Sequence, residues 1–174
     1  QSVDTSIRKQ LPAGAALNGL QLINREVISH YLRQLLKLDY RQAPFEVYKL
    51  EGQVMCDWQV KMGDRQFTTT IGGTIDRLDA VDCDTAKERI RVVDYKTGKK
   101  AFDLADVRYG LGIQMLLYLF ALERQGGAYF GREVVPAGVL YLPARDDILA
   151  EERNVPPEKL AQERAKALRR SGLV

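Results

Sequence analysis

Cysteine is scarce in this chain: its 174 residues include only Cys56 and Cys83. Neither belongs to a C-x-x-C pair, which excludes a zinc site built on paired thiolates, and the usage fits a reducing, cytoplasmic compartment. Long apolar runs are missing too. No stretch reaches the ~20 residues needed to cross a bilayer, and no signal peptide opens the chain. Net charge is small, at +3, so composition alone argues only weakly for a nucleic-acid partner. Internal repeats and low-complexity segments are also absent. What the chain does have is a hydrophobic content of 45%, ordinary for a globular protein and enough for a core. Its length suits one domain. It begins with Gln1 rather than Met, and it ends directly after a helix-end signal at Ser171-Gly172. The expectation is a single domain, residues 1–174, cut from a longer protein. It would have a lead-in over 1–18, a core over 20–143 and a C-terminal helix over 156–171.

Apolar spacing lays out the elements. Residues 1–18 are polar, contain Pro12 and Gly14, and read as loop. From Leu20 to Leu38, apolar residues such as Ile23, Val27, Ile28, Tyr31, Leu35 and Leu36 recur at helical spacing, which predicts one buried stripe. Three strands are expected next, at about 46–61, 65–80 and 89–97, the first two joined at the hairpin signal Met62-Gly63-Asp64. A second long helix is predicted from Asp103, its N-cap, to Glu123. Its half from Leu111 to Leu122 is apolar nearly all round, which predicts burial, and Gly126-Gly127 reads as its stop. Val134 to Leu142 is a fourth strand closed by Pro143. The last helix runs from about Pro157 to Arg170. A long helix between two strands demands a crossover and a parallel pair. The fold class is therefore α/β, a mixed central sheet with helices on both faces.

The chemistry concentrates in two segments. One is Gly73-Thr74-Ile75-Asp76-Arg77-Leu78-Asp79; the other is Val92-Val93-Asp94-Tyr95-Lys96-Thr97-Gly98. In a strand, Asp94 and Lys96 share a face, while Val93 and Tyr95 share the other. The polar run Asp82 to Glu88 between the segments reads as a turn. A hairpin centred near Thr85 sets Asp76 opposite Asp94. Two carboxylates and an ammonium then converge, as metal-assisted phosphodiester hydrolysis requires. Mg²⁺ or Mn²⁺ takes oxygen ligands and keeps several waters, so Asp76 and Asp94 suffice as carboxylate ligands, with a backbone carbonyl near Tyr95 as a third. Lys96 would orient the attacking water or offset phosphate charge. Taken singly, an Asp-x-Lys is a surface ion pair and a Gly-x-x-Asp is a turn. Charges inside a core sheet, however, are costly unless paired or metal-bound.

Gln114 and Tyr118 lie four apart on the second long helix and share a face. One reading has Gln114 contacting the carboxylates or Lys96, with Tyr118 on a DNA phosphate or base. The other is a satisfied core Gln beside a packed aromatic. Lys96, Lys99 and Lys100 cluster beside the acids. Arg164, Lys166, Arg169 and Arg170 read as a solvated helix face.

The Gly-x-Ile-Asp-Arg-Leu-Asp, Val-Asp-Tyr-Lys-Thr-Gly and Gln-x-x-x-Tyr series resembles the RecB-like branch of the PD-(D/E)XK nucleases. It is more closely similar to AddB-type C-terminal nuclease domains. That closer likeness is carried by Phe102 to Leu111 running into Gln114-Met115-Leu116-Leu117-Tyr118, by Pro136 to Asp146, and by Ala167 to Gly172. The resemblance implies an αβββαβ restriction-endonuclease-like core and a Mg²⁺- or Mn²⁺-dependent DNA exonuclease. It also implies an AddA-like helicase subunit as partner, and a role in double-strand-break repair. By the same likeness, Asp76, Asp94 and Lys96 are catalytic, with Gln114 and Tyr118 as a further motif. Glu51 is the best match to an acid on the first strand. The family's motif histidine is not matched by His30, which lies on a polar stripe. The four cysteines that close AddB-type domains around an iron–sulfur cluster are not matched by Cys56 or Cys83, so no cluster is expected here. The alternatives are an inactive nuclease fold that binds DNA or acts as a scaffold, and a stand-alone exonuclease.

Overall fold

A long β-hairpin dominates the computed structural model, which describes residues 3–81, 87–96, 98, 102–131, 133–144, 155–167 and 171–173. Its strands are β1 (Glu46–Met62) and β2 (Arg65–Val81). They turn at Gly63, whose φ of 61° only glycine adopts freely. Then come β3 (Glu88–Lys96), β4 (Val134–Pro143) and β5 (Ser171–Leu173). The five strands form one sheet in the order β1-β2-β3-β4-β5. Only the β3–β4 pair is parallel. The expected mixed α/β sheet and its crossover are both present.

The helices are α1 (Val3–Lys9), α2 (Gly19–Gln42), α3 (Leu104–Arg108), α4 (Gln114–Phe130) and α5 (Pro157–Ala167). None is long and apolar enough to cross a membrane. Helix α4 makes the crossover. Its Met115, Leu119 and Leu122 pack on Ile75, Leu78, Ile90, Val92 and Val139 in the main core. Each such side chain contributes about 1.5–3 kcal/mol of burial. On the opposite face a smaller cluster, Val93, Leu140 and Leu142, meets Leu35 of α2 and Tyr95.

Four expectations need correction. The 1–18 lead-in contains helix α1. The apolar stripe of α2 is not buried: no α2 residue is, and Leu20 and Leu36 are more than 60% exposed. The small second cluster offers α2 too little surface to cover. The long helix expected from Asp103 is two. Asp103 does cap α3, its Oδ1 accepting from Ala105 N–H at 2.8 Å, but Gly110 and Gly112 at φ 78° and 67° break the path before α4 begins. Leu111, in the break, is exposed, and so is Phe120 on the outer face of α4. Nor do Gly126 and Gly127 stop α4, which runs on to a left-handed cap at Gly131. A Cβ on Gly126 would stand 2.3 Å from Val134 Cγ2, so that glycine serves close helix–strand packing.

The C-terminus differs as well. Ser171-Gly172 is not a helix end but the start of β5, paired with Leu140 and Tyr141. Ser171 Oγ accepts from Phe102 N–H at 2.6 Å. The segment Asp82–Ala86, with Cys83, lies outside the described residues, as do Thr97, Lys99, Lys100, Arg169 and Arg170.

Candidate active site

The register of β2 on β3 assembles the site. Arg77 pairs with Val93 and Leu78 with Val92, and the same register extended one step sets Asp76 across from Asp94. The Tyr95 N–H donates to Asp76 Oδ2 at 2.9 Å, so the Asp76 carboxylate reaches across to the backbone next to Asp94. Lys96, two residues beyond Asp94 on the same face, brings Nζ to 2.5 Å from Asp94 Oδ2. The two acids and the ammonium thus gather where β2 and β3 meet.

This cluster is half-open and sparsely bonded. The Asp94 side chain is 18% exposed and that of Lys96 30%. Asp94 Oδ2 itself is buried, with the Lys96 ammonium against it and no further donor among the described residues. A carboxylate oxygen has two lone pairs, so one donor leaves it room for a second partner. A hard cation bound between Asp94 and Asp76 would take that place, and the donor set, all oxygen, suits Mg²⁺ or Mn²⁺. Among the described residues no group of three or more His, Cys, Asp or Glu is close enough to hold a metal ion. The fit is therefore to an ion that keeps much of its own water. Lys96 Nζ also sits 5.4 Å from the Tyr141 ring centroid. Burial pushes the Tyr141 phenol up; Lys96 opposes the shift and Asp94 adds to it.

Glu51 lies between Leu50, paired with Arg77, and Gly52, paired with Ile75, and so faces Asp76 across the β1–β2 ladder. It is the one non-glycine with positive φ among the described residues, at 49°. Such backbone strain concentrates at functional sites. Glu51, Asp76 and Tyr95 share the wall of a cavity of about 570 Å³, whose far side is the apolar face of α2 at Tyr31, Leu32 and Leu35. His30 is exposed on α2 and does not line it.

Gln114 and Tyr118 are joined to each other rather than to the acids. Gln114 Nε2 donates to Tyr118 Oη at 2.8 Å, and the expected contact of Gln114 with the carboxylates or Lys96 is not among the hydrogen bonds of the described residues. Tyr118 is buried. Its hydroxyl presses on Gly73, where a Cβ would stand 2.0 Å from Oη. That contact explains the glycine opening the first motif: it lets α4 seat against β2 three residues before Asp76.

Sequence reasoning missed a second charged cluster on the opposite face. Arg77 donates through Nε to Asp79 Oδ1 at 2.5 Å and through Nη1 to Asp39 Oδ2 at 2.6 Å and Tyr95 Oη at 3.1 Å. Arg91 Nη2 donates to Asp79 Oδ2 at 2.7 Å. The guanidinium carbons of both arginines lie just over 5 Å from the Phe45 ring centroid. Burial works against the charge of Arg77, but Asp79, Asp39 and Tyr95 outweigh it and hold its pKa above the usual value. The spacing of Arg77 and Asp79, two apart on one strand face, was a usable signal. Nothing in the sequence pointed to Asp39.

The family profile described as the PD-(D/E)XK nuclease superfamily matches residues 2–171. The chain is similar to the B subunit of the ATP-dependent helicase/deoxyribonuclease of Clostridium novyi (strain NT), 42% identical over 102 residues, covering 59% of this chain and 9% of that protein. The protein of the same name from Desulforudis audaxviator (strain MP104C) is 42% identical over 104 residues, 60% of this chain and 9% of its own length. That from Symbiobacterium thermophilum is 39% identical over 102 residues, again 59% and 9%. The matched part of the chain spans about a tenth of these relatives.

Proposed function

We propose, from the premise that this chain belongs to the PD-(D/E)XK nuclease superfamily, that it is a Mg²⁺- or Mn²⁺-dependent DNA nuclease domain. It would act as an exonuclease, as the nuclease part of a helicase–nuclease subunit working with an AddA-like helicase in double-strand-break repair. The observation that carries the reading is the gathering of Asp76, Asp94 and Lys96 where β2 and β3 meet, with the buried Asp94 oxygen held by Lys96 and no further donor among the described residues.

Asp76 and Asp94 would hold the ion, with the Tyr95 carbonyl as a further oxygen donor and Glu51 reaching it through one of the ion's waters. When bound, such an ion acidifies water and offsets charge on the phosphorane and the leaving oxygen. Lys96 contributes a positive charge at the same spot. Drawn toward an incoming phosphate, it orients the attacking water or offsets the oxyanion. Gln114 and Tyr118 hold α4 against β2 and so act on the placement of Asp76 rather than on DNA. The apolar wall of the neighbouring cavity gives the bases of an unpaired strand a place to lie while the acids meet its backbone.

The test is digestion of single-stranded DNA with and without Mg²⁺ or Mn²⁺. Asp94→Ala and Lys96→Ala are expected to lower the rate by ~10²–10³-fold or more, as loss of a preorganised charge does. Cleavage by both variants at the wild-type rate would falsify the assignment. Metal-independent DNA binding without cleavage by the wild type would instead favour an inactive, scaffolding form of the fold.

A further inference from the structure

We infer that Asp39, Arg77 and the Tyr95 hydroxyl form a positioning clamp that sets how the Asp76 and Asp94 carboxylates are presented to a divalent cation. The inference rests on the metal site proposed above.

Tyr95 is held at both ends. Its N–H binds Asp76 Oδ2 at 2.9 Å, and its hydroxyl accepts from Arg77 Nη1 at 3.1 Å. Because Tyr95 follows Asp94 and Arg77 follows Asp76, the side-chain bond on one face of the sheet ties together the two backbones that carry the acids. Arg77 cannot drift, since Asp79 and Asp39 fix the rest of its guanidinium. Asp39 stands on α2, a helix with no buried residue and only Leu35 packed against the second apolar cluster. The Asp39–Arg77 bond at 2.6 Å, with Asp39 19% exposed, is therefore a firm tie of α2 to the acid-bearing strands.

Stability alone is a poor reason for such an arrangement. A buried ion pair replaced by well-packed apolar groups is often no less stable. What apolar packing cannot supply is direction. Hydrogen bonds that orient metal-binding side chains through their neighbours typically change metal affinity ~10–100-fold when removed.

The experiment measures Mn²⁺ affinity of this chain by electron paramagnetic resonance of the free ion, well below the melting transition of each variant. Melting is followed alongside. Wild type should bind and Asp94→Ala should not. Asp39→Asn is expected to weaken binding ~10-fold. Tyr95→Phe, which keeps the ring, the backbone and every charge, should weaken it about 3-fold, the worth of one modest hydrogen bond. In DNA cleavage at fixed Mn²⁺, both should lower kcat and leave KM for DNA unchanged. If Asp39→Asn fails to fold, Tyr95→Phe decides alone. Variants that melt earlier yet bind Mn²⁺ as tightly as wild type would show a merely structural network and overturn the clamp. A wild type that binds no Mn²⁺ would sink the metal site, and the clamp with it.

Discussion

Strands β2 and β3 carry two clusters of acid and base a few residues apart, and the clusters are built to opposite rules. In the first, Asp79 is fully buried and both its oxygens accept from arginines: Oδ1 from Arg77, Oδ2 from Arg77 and Arg91. In the second, Asp94 is part-exposed, and among the described residues its buried oxygen meets one lysine and no further donor. Arginine's rigid fork satisfies a carboxylate fully, whereas a lysine is a point charge on a flexible stem that can be drawn elsewhere. A saturated carboxylate has nothing left to offer a ligand. An unsaturated one, with a mobile counter-charge, can exchange it for a cation. Saturation, more than charge or burial, separates Asp79 from the acid proposed to bind the ion.

The contrast is broken most severely by removing each acid in turn. Asp79→Ala leaves two buried arginines without their shared partner and should cost about 3–5 kcal/mol, the usual result of breaking a buried pair. Denaturant unfolding measures it. Asp94→Ala removes a part-exposed acid with one lysine partner, so metal-free stability should fall far less while cleavage is lost. Equal destabilisation by both would mean that Asp94 is a structural acid too.

Much of this was legible in the sequence, for reasons that differ by residue. The meeting of Asp76 and Asp94 follows from strand period and a hairpin centre, both local properties, and the register that sums to it is the one observed. The Asp94–Lys96 contact follows from the same period. The exposure of α2 was not legible, because periodicity shows that a helix has an apolar face but not what covers it. The break at Gly110 and Gly112 was hidden by the apolar residues around them, which suit a helix that two left-handed glycines forbid. Gly126 looked like a stop because its reason for being glycine, the touch of Val134, is tertiary. Strand β5 is three residues long and exists only by pairing with Leu140 and its neighbours, which no local pattern announces.

Metal sharpens the contrast at intermediate size. If Asp94 exchanges its counter-charge for a cation, saturating Mn²⁺ should stabilise the wild type by about 2.7 kcal/mol at a hundredfold excess over Kd. The gain should vanish in Asp94→Ala. It should persist, though reduced, in Asp79→Asn, which keeps the shape of the saturated cluster but loosens its hold on Arg77, provided the protein is folded at the start of the titration. A thermal melt with and without the ion reads both. An ion that stabilised Asp94→Ala as much as wild type would be binding elsewhere.

The smallest effect concerns Glu51, the acid that faces Asp76 from β1 with φ at 49°. A side chain in that region costs ~1–2 kcal/mol, which glycine does not incur. Glycine also loses more freedom on folding, and in an ordinary strand position it destabilises by roughly 0.5–1 kcal/mol. At Glu51 the two terms oppose; at Gln53, an exposed neighbour on the same strand without positive φ, only the second acts. Gln53→Gly should therefore lower stability while Glu51→Gly leaves it level or raises it, both measured by denaturant midpoint. If the strain at Glu51 is retained for metal binding, Glu51→Gly and Glu51→Gln should both weaken Mn²⁺ affinity, although only the first relieves the backbone. Loss of affinity in both, with stability gained only in the glycine variant, would place Glu51 beside Asp94 among the acids kept unsatisfied for a ligand. Unchanged affinity in both would leave Glu51 a strained turn and the site a two-carboxylate one.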